Sequence, residues 1–136
     1  MNYGRPISLD LAKRVVAAAE AEAVANGWPM VIAVVDSAGD LVILHKLDHA
    51  QHGSIDIARA KAEAVVNFKR PTKIFQDAVA AGGLGLRLLA TANLCPLEGG
   101  LPLVVDGEIV GAIGVSGMQS HEDAQVAAAG AAALAG

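Results

Sequence analysis

Leu9, Ala12, Val15, Val16, Ala19 and Ala23 recur at helical intervals and would share one face of a first helix. Ser8 stands before them as an N-cap, Asp10 places an acid where the helix dipole favours it, and Asn26-Gly27 is a stop signal. The period then changes. Met30 to Val35 is a continuous apolar, β-branched run of the kind found in buried strands. Asp36-Ser37-Ala38-Gly39-Asp40 has turn chemistry, and Leu41 to Lys46 completes a hairpin. Ile55, Ala58, Ala62, Val65 and Val66 restore the helical stripe from Ser54 to about Phe68. Pro71 breaks it, and Thr72 reads as the cap of a short third helix ending near Gly82-Gly83. Leu84 to Gly100 shows no clear period and reads as a loop. Leu101 to Val105 and Glu108 to Val115 are strands joined by Asp106-Gly107, a pair suited to a two-residue turn with φ > 0. A last helix starts at or beside Ser120. Eight of the final thirteen residues, Ala124 to Gly136, are alanine, so this helix is thin and packs closely.

The order α-β-β-α-α-β-β-α, with hairpins in place of βαβ units, predicts an α+β fold: an antiparallel sheet with helices packed on it, in one domain spanning residues 1–136. No repeat or linker interrupts it. Gly107, Gly111, Gly114 and Gly117 fall in a hairpin and not at a strand-to-helix turn, so they do not form a dinucleotide fingerprint. They mark places where backbones come close or the strand bulges.

Composition sharpens this picture. Of 136 residues, 54% are hydrophobic but only 3% aromatic, and alanine and glycine together fill 43 positions. So small and apolar a chain is expected to bury its excess surface in a homo-oligomer. The net charge of −4 argues against a nucleic-acid binder, which needs a surplus of cations. Cys95 is the single cysteine, and no CxxC pattern exists. The first ten residues lack the layout of a signal peptide. The most apolar stretch, Ala78 to Leu97, is interrupted by Gly82, Gly83, Gly85, Arg87 and Asn93, unlike a membrane span. The expected location is the cytoplasm.

Three segments carry candidate chemistry. His45, His49 and His52 lie with Asp48 in an eight-residue connection between a strand and a helix, and imidazoles serve as metal ligands and proton shuttles. His121, the fourth histidine, is expected at the surface. Arg59, Lys61, Lys69, Arg70 and Lys73 are half of all the cations, and Glu63 is the one acid among them. With Thr72 at a helix start, they suit an anionic small molecule, a carboxylate or a phosphate; a solvated cationic face is the alternative. In Cys95-Pro96-Leu97-Glu98-Gly99-Gly100 the paired glycines would let a ligand approach the backbone, and Cys95, with no His or cation beside it, reads as a buried thiol.

Beyond these segments, several stretches resemble a family of small haem-binding or haem-degrading domains: GlcG-like proteins, HbpS-like proteins and the C-terminal domain of PduO-type adenosyltransferases. The similar stretches are Ile32-Ala33-Val34-Val35-Asp36 with Gly39, then Leu47-Asp48, then Gly53-Ser54-Ile55-Asp56-Ile57-Ala58 with Ala60-Lys61-Ala62. Phe68-Lys69-Arg70-Pro71-Thr72, Gly99-Gly100-Leu101-Pro102-Leu103 and Val104 to Gly117 follow in order. The resemblance implies a profilin- or roadblock-like sandwich, homo-oligomers from dimer to octamer, and haem as the cofactor. It also implies that the histidine cluster departs from the family pattern, in which glycine is typical at the position of His49.

Three readings follow. In the first, the chain is a homo-oligomeric binder of haem or a related anionic tetrapyrrole, with weak haem degradation as a side reaction. His45, His49 or His52 would ligate iron, and Arg59, Lys61 or Arg70 would meet the propionates. The second is an enzyme of small organic-acid or aromatic-acid catabolism, with a divalent metal or acid–base pair on the histidines and Arg70 and Thr72 on a carboxylate. The third is a non-catalytic assembly or sensory domain.

Overall fold

In the computed structural model, residues 1–135 are described; Gly136, the end of the alanine-rich stretch, lies outside them. The elements are α1 (Leu9–Ala25), β1 (Val31–Asp36), β2 (Leu41–Lys46), α2 (Ser54–Phe68), α3 (Thr72–Ala81), a 3₁₀ segment (Gly83–Ala90), β3 (Gly100–Val105), β4 (Glu108–Ser116) and α4 (Ser120–Ala132). The sheet order is β2-β1-β4-β3, antiparallel throughout. Two hairpins are thus joined edge to edge through β1 and β4, and helices cover both faces. This is the α+β fold expected from the element order, an antiparallel sheet with helices packed on it, in the sandwich form that the resemblance implies.

β1 reads as an unbroken apolar run because both of its faces are buried. Ile32 and Val34, with Ile113 and Val115 of β4, pack on Val15, Val16 and Ala19 of α1 and Val126 and Ala127 of α4. The alternate residues Val31, Ala33, Val35 and Ala112 point the other way, into the clusters that hold Ala58, Ala62 and Val65 of α2. Glycine in β4 sets the distance between these layers. A Cβ on Gly114 would lie 2.0 Å from the carbonyl oxygen of Ala58 and 2.7 Å from the amide of Ala62, so α2 rests directly on the strand backbone. The Asp106-Gly107 turn has φ of 52° and 76°, as a two-residue hairpin of this kind requires.

Two expectations need correction. The N-cap position of α3 is Pro71, and Thr72 points inward instead, where its hydroxyl accepts the Gly100 N–H at 2.9 Å. A proline with φ of −58° already directs the chain into the helix, which frees Thr72 to tie α3 to β3. Leu84 to Gly100 is not wholly a loop, because its first part winds into the 3₁₀ segment. That segment doubles back on α3 after Gly82 and Gly83, both at positive φ, and a Cβ on Gly85 would lie 1.9 Å from the Ala78 carbonyl oxygen. None of its residues is buried. No helix of the described residues is long and apolar enough to cross a membrane.

Candidate cofactor site

The end of α1 builds one wall of the site. Gly27, at φ 70°, donates its N–H to Val24 O at 3.0 Å, while the Trp28 N–H reaches back to Ala23 O at 2.9 Å. This paired arrangement is a Schellman stop, which consumes the free carbonyls of the last turn. The chain leaves it sharply, and Trp28 and Pro29 are placed beside Val24 before β1 begins. The facing wall comes from the end of β2. Leu47 donates to Met30 O at 2.9 Å, extending the β1–β2 ladder, and Ala50 donates back to Leu47 O at 3.1 Å. The turn so formed carries Asp48 and His49.

Between the walls lies an open cleft of about 410 Å³ lined by Val24, Gly27, Trp28, Pro29, Leu47, Asp48 and His49. Its surface is mostly apolar, with one imidazole and one carboxylate. His49 has φ of 71°, a left-handed conformation natural to glycine and costing other residues about 1–2 kcal/mol. Strain of this kind occurs at working sites, and also at helix ends and turns such as Lys69 and Asp106.

The other histidines do not converge with it. The His45 ring, on the α1 face of the sheet, has Nδ1 3.0 Å from Glu20 Oε1 of α1. His52 is exposed in the turn before α2, outside the cleft lining, and His121 is exposed in the first turn of α4. Among the described residues no group of three or more His, Cys, Asp or Glu side chains could hold a metal ion. Spacing in sequence put three imidazoles within reach, but strand direction and two successive turns send them apart.

The cationic segment is also dispersed. Arg59 Nε donates to Glu63 Oε1 at 3.1 Å along the exposed side of α2. Arg70 is exposed at the α2–α3 junction. The Lys73 ammonium donates to Asp77 at 2.7 Å, and this bond raises its pKa. Lys69 ends α2 at φ 57° and lays its ammonium 4.6 Å from the centre of the Tyr3 ring. None of Arg59, Lys61, Arg70, Thr72, Gly99 or Gly100 lines the cleft.

Lys61 meets no solvent. Only 2% exposed, it donates from Nζ to the Val115 carbonyl and to Asp123 Oδ2, each at 2.8 Å. The other carboxylate oxygen of Asp123 accepts the Met118 N–H at 3.0 Å. Burial pushes the Asp123 carboxyl above its usual range, opposed by the hydrogen bond and charge of Lys61. Gly99 and Gly100 serve this junction. A Cβ on Gly99 would lie 2.8 Å from Lys61 Nζ, and one on Gly100 would lie 2.8 Å from the Lys61 carbonyl oxygen. Lysine, aspartate, threonine and the glycine pair therefore form a closed knot joining α2, α3, β3, β4 and α4. Cys95 is a buried thiol, as its sequence context suggests, and burial raises its pKa.

Val24, Trp28, Pro29 and Leu47 are the cleft residues that sequence reasoning did not assign to a site. The available signal was the single tryptophan of an aromatic-poor chain, placed directly after a helix stop.

Comparison with known proteins agrees with this architecture. Residues 7–132 match the family described as haem degrading protein HbpS-like. Protein GlcG of Escherichia coli (strain K12) is 40% identical over 110 residues, 81% of each chain. A double mutant of HbpS from Streptomyces reticuli superposes with a TM-score of 0.87 at 30% identity, over 98% of this chain and 90% of that one. The haem complex of PduOC superposes with a TM-score of 0.84 at 26% identity, over 94% of each. The chain belongs to the HbpS-like family.

Proposed function

We propose that this chain binds haem in the cleft between the α1 stop and the β2 turn, with His49 as the iron ligand. The observation that carries the reading is His49 itself, an imidazole held at positive φ on the rim of an apolar cleft beside the lone tryptophan. The lining suits a flat apolar macrocycle. Trp28 offers a ring face for stacking, Val24, Pro29 and Leu47 shield it from water, and a cleft of this size is within the range that holds small cofactors. Asp48 opposes anions at the rim, so the propionates would leave through the open mouth toward solvent. Haem, when bound, supplies its own redox chemistry, and the protein sets ligation, orientation and water access. A haem complex is known for the similar PduOC, which supports the same reading.

Haem degradation with peroxide belongs to this proposal as a side reaction of the same site. The chain is further proposed to work in the cytoplasm and as a homo-oligomer, the exposed leucines supporting the second of these.

Titration of haemin into the apo protein tests the assignment. A Soret band should saturate for the wild type and for His52→Ala, and should be lost or shifted in His49→Ala. Equal titrations for the wild type and His49→Ala would remove His49 as ligand, and no spectral change for the wild type at micromolar haemin would end the haem reading.

A further inference from the structure

The cleft carries negative charge on its lining and no cation to balance it. Asp48 is an exposed carboxylate there, and no Lys or Arg is among the lining residues. The lining also includes the C-terminal end of α1, the negative end of the helix dipole, and no basic residue stands in the last turn of that helix. Glu20 lies one turn before Val24 on the same side of α1, and His45 lies two residues before Leu47 on the same face of β2. Their contact at 3.0 Å therefore bridges the two walls just beyond the cleft, and it commits the His45 imidazole to Glu20. Lys46 is the nearest cation along the chain. It pairs with Val31, whose side chain packs toward α2, so Lys46 is directed to the other face of the sheet.

We infer that Asp48 determines which tetrapyrroles the cleft accepts: those with acidic groups confined to one edge are taken, and those with carboxylates around the whole ring are refused. The inference rests on the proposed haem site and names the ligand class which that site selects. A flat macrocycle seated against Trp28 has one edge at the open mouth and another among Val24, Pro29 and Leu47. Propionates at the mouth stay in water, where solvent screens them from Asp48. A carboxylate on the inner edge gives up part of its hydration, meets apolar side chains and finds no cation among the lining residues. It also feels the Asp48 charge through surroundings that screen less than water does. Ligation of iron by His49 is common to both kinds of ligand, so it binds them without telling them apart. Discrimination falls to the carboxylate beside it.

Soret titrations of the full chain with two iron(III) complexes test this: haemin, whose propionates share one edge, and iron(III) coproporphyrin, with a propionate on every pyrrole. The wild type should bind haemin more tightly by about tenfold or more. In Asp48→Asn that ratio should shrink by about threefold to fivefold, through tighter binding of the coproporphyrin complex, while haemin affinity holds or rises. Asp48→Lys should shrink it further. Added salt should narrow the ratio in the wild type and narrow it less in Asp48→Asn, a dependence that a merely structural role for Asp48 would not produce. The salt series on the wild type stands by itself if a variant fails to fold, and a ratio indifferent to salt would count against Asp48. Equal affinities in the wild type, or a ratio unchanged in Asp48→Asn, would overturn the inference and leave the haem site in place. No Soret change with either complex would end the haem reading and this inference with it.

Discussion

The cleft at Trp28 and His49 and the knot at Lys61 and Asp123 each hold part of a segment that looks chemically active in the sequence, His49 in the first and Lys61, Thr72, Gly99 and Gly100 in the second. They differ in what their polar groups have left over. In the knot the Lys61 ammonium, both oxygens of Asp123 and the Thr72 hydroxyl have partners within the protomer, and the glycines admit no Cβ. In the cleft the imidazole of His49 stands at an open surface, in a backbone conformation that a histidine adopts at a cost. A charged residue engaged on every side is part of the scaffold, whereas an imidazole on the lining of an open apolar cleft is available for binding. The motif Gly99-Gly100 with Lys61 thus has a structural reading that needs no ligand.

The largest effect should come from the knot. Lys61→Met leaves Asp123 buried without its counter-charge and should lower stability by about 3–5 kcal/mol in chemical unfolding. The pair Lys61→Met/Asp123→Leu should regain most of it. A stable, fully folded Lys61→Met protein that no longer takes haemin would break the comparison. Next, Gly114→Ala should cost about 1–3 kcal/mol, since its methyl must push α2 off the strand, and should leave haemin titration alone. In the cleft, His49→Gly should act oppositely on two readouts. Relief of the positive φ should raise Tm by a few degrees, corresponding to about 1 kcal/mol, while the Soret shift is lost. The smallest effect concerns Cys95. Its folded pKa is raised, so its stabilising share is complete below the unfolded value near 8.5 and declines as pH rises through the folded one. Unfolding curves should weaken above about pH 8.5 in the wild type, less so in Cys95→Ala. Alkylation of the native thiol at pH 8 should be slow.

Much of the scaffold was legible because its signals are local. Ser8 accepts the Leu11 N–H at 3.2 Å as a cap should, α2 and β2 run over the residues that the apolar spacing predicts, and Asp106-Gly107 makes its turn. The 3₁₀ segment was hidden because glycines dilute its pattern and its leucines face outward, which reads as a loop. The cleft was half legible. His49 was a candidate, but its neighbours Val24 and Trp28 come from another element some twenty residues earlier, and apolar lining has no motif. Lys61 and Asp123 lie 62 positions apart, so a lysine in a cationic stretch gave no sign of a buried partner.

Paramagnetic broadening in an amide NMR spectrum on addition of ferric haemin would locate the cofactor without any substitution. The cleft reading predicts loss of signals from residues 24, 27, 28 and 47–49 first, with Thr72, Gly99 and Gly100 still sharp. Early broadening at Thr72, Gly99 and Gly100 with Trp28 and His49 unaffected would place the binding chemistry at the knot and contradict the account.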